Sequence, residues 1–493
     1  METIGHWIGG RAEVGTSGRR SPVYDPAQGQ QVAEVALASR DEVDDVVKAA
    51  VSAGRDWADS SLSTRASTMF RFRELLDSHR SDLADAIVRE HGKVKDDALG
   101  EVARGIECVE FACGIPHLLE GAHSSEVSTG IDVHTVHEPV GVVAGITPFN
   151  FPAMVPLWML ANALACGNAF ILKPSEKDPS VSLLLAELAH EAGVPPDVFN
   201  VVQGDAEAVE RLLEHPDVDA ISFVGSTPVA RHIYETGTAN GKRVQALGGA
   251  KNHMIVLPDA DVDAAADAAV SAAYGSAGER CMAISVVVAV GEVADPLIDA
   301  ISARIDDLVV GPGTDPASQM GPLITAKHRE RVRSYVDGAA DEGATVVVDG
   351  GAPERDGFFL DCSLVDRVEP GMKVYDDEIF GPVLSVVRRS TYEEAVRLVN
   401  ANPYGNGVAL FTRDGGAARR FEREIEVGMV GVNVPIPVPV AWHSFGGWKS
   451  SIFGDSAIYG PDGLRFYTRP KVVTRRWPDP ATSTVDLGFP TTS

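Results

Sequence analysis

Ala169-Phe170-Ile171-Leu172 is the first of three apolar runs that alternate with amphipathic segments, and this alternation predicts the fold. Two further apolar runs follow, Val198-Phe199-Asn200-Val201-Val202 and Ala220-Ile221-Ser222-Phe223-Val224. Helical spacing of apolar residues is found between and after these runs, at Ser180 to Ala192, Ala206 to Glu214 and Pro228 to Thr236. Strands that alternate with helices predict parallel βαβ units with right-handed crossovers. We therefore expect a parallel sheet that binds its ligand at the carboxyl ends of the strands.

The segments on either side extend this α/β pattern. Upstream, a short strand-like segment precedes helical spacing at Asp41 to Arg55 and Ser63 to Glu90, and Val127 to Glu138 alternates like a strand. Downstream, a predicted helix at Val262 to Ala277 leads to Cys281. Strand-like runs follow at Val286 to Val290, Ala344 to Val348, Val383 to Val387, Leu464 to Thr468 and Lys471 to Thr474. The sequence thus predicts a second α/β domain with a short β element after it.

Composition and charge narrow the range of functions. The chain has 493 residues, more than a single hydrophobic core usually holds, so at least two domains are expected. A formal net charge of −27 argues against nucleic acid or an anionic membrane as the main partner. The five cysteines show no metal-ligand spacing. We therefore expect no metal, no membrane span and a cytoplasmic location, where cysteines stay reduced.

Cys281 is the candidate nucleophile. It follows a run of small residues and an arginine, in Gly275-Ser276-Ala277-Gly278-Glu279-Arg280-Cys281. The thiolate is the reactive form of cysteine, and a neighbouring guanidinium can populate it near neutral pH. A lone cysteine in such a run is more often a buried packing residue. The catalytic interpretation therefore depends on the motifs elsewhere in the chain.

A candidate phosphate site follows the third apolar run, in Phe223-Val224-Gly225-Ser226-Thr227-Pro228. A strand that ends in Gly-Ser-Thr, with proline in the first helical turn, offers backbone N–H groups and a helix dipole to an anion. The common GxGxxG fingerprint is absent from this position. Taken alone, the turn is more often a plain helix cap.

Seven motifs, read in chain order, resemble the aldehyde dehydrogenase superfamily. They are Thr147-Pro148-Phe149-Asn150-Phe151-Pro152, Lys173-Pro174-Ser175-Glu176, Phe223-Val224-Gly225-Ser226-Thr227, Leu247-Gly248-Gly249, Glu279-Arg280-Cys281, Glu378-Ile379-Phe380-Gly381-Pro382 and Asn402-Pro403-Tyr404-Gly405. The similarity extends from about Trp7 to Arg476. So many ordered motifs outweigh the packing interpretation of Cys281.

The resemblance implies an aldehyde dehydrogenase-like α/β fold of three parts. A Rossmann-like NAD domain would comprise residues 1–121 and 140–249, and an α/β catalytic domain residues 250–445. Residues 122–139 and 446–493 would form a small β oligomerisation element with the C-terminal tail, in a dimer or tetramer. By position, Cys281 would attack the aldehyde while the Asn150 amide and the Cys281 backbone N–H hold the oxyanion. The residues implied to bind NAD are Phe149, Lys173, Glu176, Ser226, Glu378 and Phe380.

Ala246 is the informative departure from the family pattern. Hydrolytic members usually have a glutamate in Leu-Glu-Leu-Gly-Gly that activates the deacylating water, whereas this chain reads Val244-Gln245-Ala246-Leu247-Gly248-Gly249. Without a general base, attack by water is slow and a thiol can take its place. Segments such as Arg280-Cys281-Met282-Ala283 and Gly249-Ala250-Lys251-Asn252-His253 resemble the branch of CoA-acylating methylmalonate-semialdehyde dehydrogenases.

Two arginines of that branch bind the substrate carboxylate, and by position they match Arg104 and Arg280. A planar guanidinium binds a carboxylate through two parallel hydrogen bonds, which suits a 3-oxo acid. From the residues alone, Arg104 is more readily explained by a salt bridge with Glu101 or Glu107 at helical spacing. The resemblance shifts the balance toward substrate binding.

The expected activity is therefore the NAD-dependent, CoA-acylating oxidation of malonate or methylmalonate semialdehyde, with loss of the carboxylate. The products would be acetyl-CoA or propanoyl-CoA, formed through a thioacyl intermediate on Cys281. NAD is the expected cofactor, CoA the co-substrate, and the partners are small molecules and further copies of the chain. A hydrolytic dehydrogenase of another semialdehyde, such as succinate semialdehyde, is the alternative, and Ala246 counts against it.

Overall fold

Two large sheets, each closed by helices, make up most of the chain. The computed structural model describes residues 2–477 and residue 481. The helices of this part are Arg40–Ala58, Leu62–Ser78, Arg80–His91, Lys95–Cys113, Ile115–Leu118, Met154–Ala165, Ser180–Glu191, Ala206–Glu214, Thr227–Ala239, Val262–Tyr274, Ala294–Asp306, Ala326–Ala339, Lys373–Asp376, Tyr392–Ala401, Gly415–Glu424 and Pro461–Phe466. None of the helices described is both long and apolar enough to span a bilayer.

The first large sheet has eight strands, of which the central five are parallel. In spatial order the strands are Ile452–Phe453, Arg243–Leu247, Ala220–Val224, Val142–Ile146, Ala169–Lys173, Phe199–Val201, His6–Ile8 and Arg11–Glu13. Apolar side chains alternate between its faces, so that Phe170 and Leu172 pack in one cluster and Ala169 and Ile171 in another. Both faces are therefore buried, as the apolar strand runs predict.

The second large sheet has seven strands, and only its edge strand Thr345–Val348 runs antiparallel. The other strands, in spatial order, are Ser363–Asp366, Val383–Arg389, Ile284–Val290, Asn252–Val256, Gly407–Phe411 and Met429–Val432. A separate hydrophobic cluster surrounds this sheet. The chain thus forms at least two cores, as its length predicts.

Three smaller sheets complete the described part. One is antiparallel and joins His123–Ser128, Ile131–Pro139 and Thr468–Arg476. The others join Glu2–Ile4, Gln30–Ala36 and Arg20–Asp25, and Tyr404–Gly405 with Trp448–Lys449. The domain boundaries given above stay a prediction, and the tail beyond Trp477, apart from residue 481, lies outside the described residues.

The structure corrects three local predictions. The N-terminal region forms five short strands before its first helix rather than one strand-like segment. The single helical stretch expected between Ser63 and Glu90 is divided at His79, which ends one helix and precedes the next. Leu464 to Phe466 is helical instead of extended, because Gly460 with φ 73° and Pro461 begin the helix Pro461–Phe466.

Candidate active site

A cavity of about 500 Å³ lies between the two large sheets. The first sheet contributes the carboxyl ends of its strands, as predicted, through Val224 to Pro228 and Gly248-Gly249. The second sheet contributes segments that precede its strands, including Cys281 and Glu378. Six of the predicted site residues line this one cavity: Phe149, Asn150, Ser226, Cys281, Glu378 and Phe380.

The wall formed by the first sheet is shaped to accept a phosphate group. Ser226 precedes the helix Thr227–Ala239, and among the described residues its side chain makes no capping hydrogen bond. The first N–H groups of this helix therefore remain available at the cavity wall. Thr227 Oγ1 instead accepts a hydrogen bond from the Gly249 N–H at 2.8 Å. A side chain at position 249 would bring its Cβ within 2.3 Å of the Glu378 carboxylate, so any larger residue there would displace that carboxylate.

Glu378 and Phe380 form the opposite wall. Glu378 Oε1 accepts a hydrogen bond from the Ala250 N–H at 2.9 Å, and burial raises the pKa of this carboxyl. Phe380 has a left-handed backbone with φ 59°, and its ring meets that of Phe149 edge to face at 5.9 Å. The Lys177 ammonium lies 4.4 Å from the centre of the Phe149 ring. Lys177 was not singled out by the sequence, since its motif ends one residue earlier at Glu176.

Lys173 and Glu176 lie together but outside the lining described for the cavity. Their charged ends are 3.6 Å apart, and the Lys173 side chain is almost fully buried. Burial lowers the pKa of Lys173, and the Glu176 carboxylate partly offsets this effect. The Lys173 carbonyl accepts the Thr147 N–H at 3.1 Å, which joins this strand end to the Thr147-Pro148-Phe149-Asn150 segment. Their role as ribose ligands stays a prediction.

Two asparagine side chains hold the backbone of Cys281. Asn252 Nδ2 donates to the Cys281 carbonyl at 2.9 Å, and Asn406 Nδ2 donates to the same oxygen at 3.0 Å. Both asparagines belong to the second sheet or directly precede one of its strands. Sequence reasoning missed this function because the two residues are far from Cys281 in the chain. The only signal in the sequence was that Asn252 lies in the segment Gly249 to His253 and that Asn406 directly follows the motif Asn402 to Gly405.

The Cys281 thiol is protonated in the free protein. Burial raises the pKa of the thiol most and the Glu378 carboxylate also raises it, whereas backbone N–H groups and Arg280 lower it only in part, so that the pKa is about 12. The expectation that the neighbouring guanidinium populates a thiolate near neutral pH is therefore wrong for this state. The Arg280 guanidinium donates to Asp97 at 2.7 Å, and its effect on the pKa of the thiol is smaller than that of burial.

A strained turn precedes the nucleophile. Ser276, Ala277 and Gly278 all have left-handed backbones, with φ of 54°, 52° and 73°. For the two residues that carry a Cβ, this conformation costs roughly 1–2 kcal/mol each. A Cβ at Gly278 would lie 2.2 Å from the Gly381 carbonyl, so the turn packs directly against the segment that follows Phe380. The nucleophile and the Glu378 wall are thereby fixed relative to each other.

Asn150 is held from both sides. Its side-chain Nδ2 donates to the Glu279 carbonyl at 2.9 Å, which fixes the orientation of the amide. Its own carbonyl accepts the Lys93 ammonium at 2.7 Å, and Lys93 also donates to Glu101 at 2.8 Å. Since Nδ2 carries two hydrogens, one remains for an oxyanion near Cys281. The arrangement therefore suits the predicted role of Asn150.

Glu279 is a buried carboxyl directly behind these groups. Oε1 accepts the Ile324 N–H at 3.2 Å, whereas Oε2 has no hydrogen-bond partner among the described residues. His91 and His328 approach to 3.8 and 3.6 Å. Burial raises the pKa of Glu279 to about 8 and lowers the pKa of His328 to about 4. At neutral pH the cluster is therefore mainly a neutral acid beside neutral imidazoles.

The two predicted carboxylate-binding arginines both contact the helix Lys95–Cys113. Arg104 lies on this helix and donates to Glu107 Oε2 at 2.6 Å and to the Pro439 carbonyl at 2.7 Å. Arg280 donates to Asp97 on the same helix. Glu101, the other partner considered for Arg104, is buried against Lys93 instead. The salt bridge of Arg104 with Glu107 is thus present, and a role in substrate binding is still a prediction.

Ala246 is fully buried in the strand Arg243–Leu247 and packs in the cluster that contains Phe223 and Ala230. Its neighbour Gln245 accepts a hydrogen bond from Ser222 at 2.8 Å. The position thus holds a buried methyl group rather than a carboxylate. In the described residues no group of three or more histidine, cysteine or acidic side chains is arranged to hold a metal ion.

Comparison with known proteins identifies the family. The sequence model of the aldehyde dehydrogenase family matches residues 14–473. The chain belongs to the aldehyde dehydrogenase family. The resemblance drawn from the seven motifs is thereby confirmed, and so is the aldehyde dehydrogenase-like α/β fold.

Relatives across this family cover almost the entire chain. The malonate-semialdehyde dehydrogenase of Pseudomonas aeruginosa is 55% identical over 486 residues, which are 98% of each chain. A methylmalonate-semialdehyde dehydrogenase structure from Oceanimonas doudoroffii is 53% identical, with a TM-score of 0.96 over 98% of this chain and 99% of that one. A Sinorhizobium meliloti structure complexed with NAD has the same TM-score at 52% identity, over 98% of this chain and 99% of that one.

Proposed function

We propose that this aldehyde dehydrogenase catalyses the NAD-dependent, CoA-acylating oxidation of malonate or methylmalonate semialdehyde. The products are acetyl-CoA or propanoyl-CoA, CO₂ and reduced cofactor. One observation carries the proposal: the cavity contains Cys281, Asn150 and Glu378, while position 246 is an alanine. Such a site can form an acyl-enzyme but has no carboxylate at position 246, where the resemblance places the residue that activates water in hydrolytic members. The names of the relatives at 55% and 53% identity support the same substrates.

The cavity fits a dinucleotide. Open N–H groups at the start of the helix Thr227–Ala239 suit the diphosphate, and the Glu378 carboxylate suits ribose hydroxyl groups. Gly249 leaves room for close approach, since a Cβ there would meet Glu378. Bound NAD supplies the acceptor for the hydrogen and two electrons that leave the aldehyde carbon. We assign the lining residues Phe149, Ser226, Glu378 and Phe380 to this cofactor, with Lys173 and Glu176 beside them.

The first step is attack by Cys281 on the aldehyde carbon. The S–C bond forms while the thiol proton passes to the carbonyl oxygen, giving a neutral thiohemiacetal. This proton leaves the sulfur as the S–C bond forms, since burial raises the pKa of the thiol. The second hydrogen of the Asn150 amide and the backbone N–H of Cys281 stabilise charge on the oxygen as it develops. Oxidation then yields a thioester on Cys281 and releases one proton.

Loss of CO₂ follows from the chemistry of the thioester. The C–C bond to the carboxylate breaks, its electron pair moves into the thioester carbonyl, and the resulting enolate takes up a proton. The acetyl or propanoyl group remains on Cys281. The groups that stabilised the first oxyanion also suit the enolate oxygen, since both place negative charge on the same atom.

Deacylation completes the cycle through a thiol rather than water. The CoA sulfur attacks the thioester carbon, and Cys281 leaves with a proton. With Ala246 in place of a base, attack by water loses assistance worth about 100- to 10,000-fold. CoA brings its own strong nucleophile and needs less help.

We also propose that the chain works as a homo-oligomer. The sheet of His123–Ser128, Ile131–Pro139 and Thr468–Arg476 carries the exposed apolar side chains of Val127, Val136 and Val472. Exposed apolar surface on an antiparallel sheet favours pairing with another copy. Sedimentation of the full chain distinguishes a dimer from a tetramer, and a monomer would contradict the proposal.

NADH formation with malonate semialdehyde and with its 2-methyl analogue, each with and without CoA, tests the proposed activity. With CoA we expect continuous turnover and a CoA thioester as product. Without CoA we expect a rapid burst of at most one NADH per site and then a slow rate. Fast linear NADH formation without CoA, with a free acid as product, would support the hydrolytic alternative instead.

A further inference from the structure

Each of the two candidate substrate arginines is already paired with an acidic side chain of one helix. Arg104 Nη1 lies 2.6 Å from Glu107, and Arg280 Nη2 lies 2.7 Å from Asp97. Both acids belong to Lys95–Cys113, although Asp97 and Arg280 are 183 positions apart in the chain. Arg104 pairs with Glu107 within this helix, whereas Arg280 reaches Asp97 from a distant turn.

Neither pair is an ordinary surface ion pair. The side chains of Arg104 and Glu107 are 32% and 33% exposed, and those of Arg280 and Asp97 are 22% and 16% exposed. At this level of burial a charge interacts more strongly than in water, and removal of one partner changes the field felt by the other. A substrate carboxylate that approaches either arginine therefore meets a neutral pair rather than a free cation.

The guanidinium groups nevertheless keep hydrogen-bond capacity for a further anion. Arg104 uses Nη1 for Glu107 and Nη2 for the Pro439 carbonyl, out of five N–H hydrogens. The hydroxyl of Tyr459 donates to the same Pro439 carbonyl at 2.8 Å, which ties this segment in place beside Arg104. Tyr459 belongs to the hydrophobic cluster against which Cys281 packs, so the segment beside Arg104 adjoins the cluster that supports the nucleophile.

We propose that Glu107 and Asp97 are internal counterions that occupy the two arginines in the absence of substrate and so set the affinity for carboxylated aldehydes. The inference rests on the proposed function, together with the predicted role of these two arginines in holding the substrate carboxylate. Each internal acid competes with that carboxylate for the same guanidinium and reduces the net charge that attracts it. The affinity of the arginines for the substrate carboxylate is thereby lowered. A lower affinity also suits a reaction in which this carboxylate must leave as CO₂.

The Glu107→Gln variant separates charge from geometry. A glutamine oxygen still accepts the hydrogen bond from Arg104, but the negative charge is gone. A role limited to orienting Arg104 would therefore survive the substitution, whereas a counterion would be lost. Asp97→Asn makes the same change at the second pair. The matched control is Glu110→Gln, which removes a charge from the same helix where Glu110 pairs with Arg73 at 2.9 Å.

The experiment measures KM and kcat of these variants with malonate semialdehyde and with propanal, in the presence of NAD and CoA. We expect Glu107→Gln to lower KM for malonate semialdehyde about two- to fivefold, the range of a partly exposed ion pair, without changing KM for propanal. Asp97→Asn should act in the same direction, and Glu110→Gln should leave both values unchanged. An unchanged or higher KM for malonate semialdehyde in both variants would overturn the proposal.

Arg104→Leu keeps this test distinct from that of the proposed function. If Arg104→Leu impairs malonate semialdehyde but not propanal, the arginine anchors the carboxylate and the Glu107 result decides the counterion role alone. If Arg104→Leu impairs both aldehydes equally, the anchor itself is wrong and the counterion proposal is overturned with it.

Discussion

The two sides of Cys281 are built differently. On the nucleotide side, polar side chains that face the cavity accept hydrogen bonds from backbone N–H groups of other residues. Thr227 accepts from Gly249, and Glu378 accepts from Ala250. On the substrate side, Arg104 and Arg280 are tied to acidic side chains. The polar groups of the nucleotide side are thus fixed by hydrogen bonds to the backbone, whereas the two arginines of the predicted substrate side are fixed by ion pairs. Affinity for the cofactor and affinity for the substrate should therefore respond to different substitutions.

Cys281→Ala should separate the two sides most strongly. Turnover should fall by about 10⁴-fold or more, because the thiol forms the bond on which every later step depends. The dissociation constant for NAD, measured by calorimetry or fluorescence, should stay within about threefold of the parent value. Cys362→Ala is the control, since that cysteine is buried in the second core, and it should retain activity. A substantial residual turnover in Cys281→Ala would contradict covalent catalysis.

Asn150→Ala should reduce kcat by about 100- to 1000-fold, the usual effect of losing one oxyanion donor. KM for the aldehyde should change much less, because the charge on oxygen develops only in the transition state. Single-turnover NADH formation measures the effect on acylation directly. An equal loss in KM with kcat unchanged would show that Asn150 binds the ground state instead.

Arg104→Leu tests whether the substrate side recognises a carboxylate at all. The kcat/KM for malonate semialdehyde should fall about 30-fold or more, as expected for loss of a charged contact, while that for propanal should stay nearly constant. NAD affinity should not change, since Arg104 bonds to Glu107 and Pro439 rather than to groups of the cavity wall. Parallel losses for the two aldehydes would indicate that the Glu107 salt bridge is only structural.

Glu279→Gln replaces the buried carboxyl behind Asn150 and Cys281. Its effect, on the pH dependence of stability, should be the smallest of those described. Folding raises the pKa of Glu279 from 4.5 to about 8, so the folded state holds this proton more tightly than the unfolded state. The stability that results is fully present below pH 4.5 and is lost as the pH rises through 8. Relative to the parent, the glutamine variant should therefore gain at least about 1 kcal/mol between pH 5 and pH 8.

Thermal unfolding of the two proteins at both pH values measures this difference. Other buried acids with raised pKa values, such as Asp178 and Glu101, are present in both proteins and cancel in the comparison. A stability difference that is the same at pH 5 and pH 8 would contradict a neutral Glu279 in the folded state.

The sequence predicts best where the structure is locally determined. The helix Ala206–Glu214 and the strand Ala220–Val224 have the predicted bounds, because apolar spacing and turn residues define them within the segment itself. The short strands Glu2–Ile4 and His6–Ile8 escaped prediction, since three residues carry no periodicity and their partners are distant in the chain.

The same distinction holds at the site. The ordered motifs were sufficient to predict that Asn150, Cys281 and Glu378 belong to one site, and the three residues line one cavity. The pairing of Arg280 with Asp97 could not be predicted, because it depends on how a helix and a distant turn pack together. The raised pKa of Cys281 was missed for the same reason, since burial is a property of the folded chain.

Intact-mass measurement of the enzyme after reaction without CoA tests directly whether Cys281 carries an acyl group that is transferred to CoA. Enzyme, NAD and malonate semialdehyde are mixed. One sample is taken within the burst phase and another after addition of CoA, and each is quenched in acid before its mass is measured. We expect that one acetyl group is attached, that peptide analysis places it on Cys281, and that CoA removes it as acetyl-CoA. An enzyme that produces NADH yet never carries an acyl group on Cys281, or whose acyl group is lost to water as fast as to CoA, would contradict this expectation.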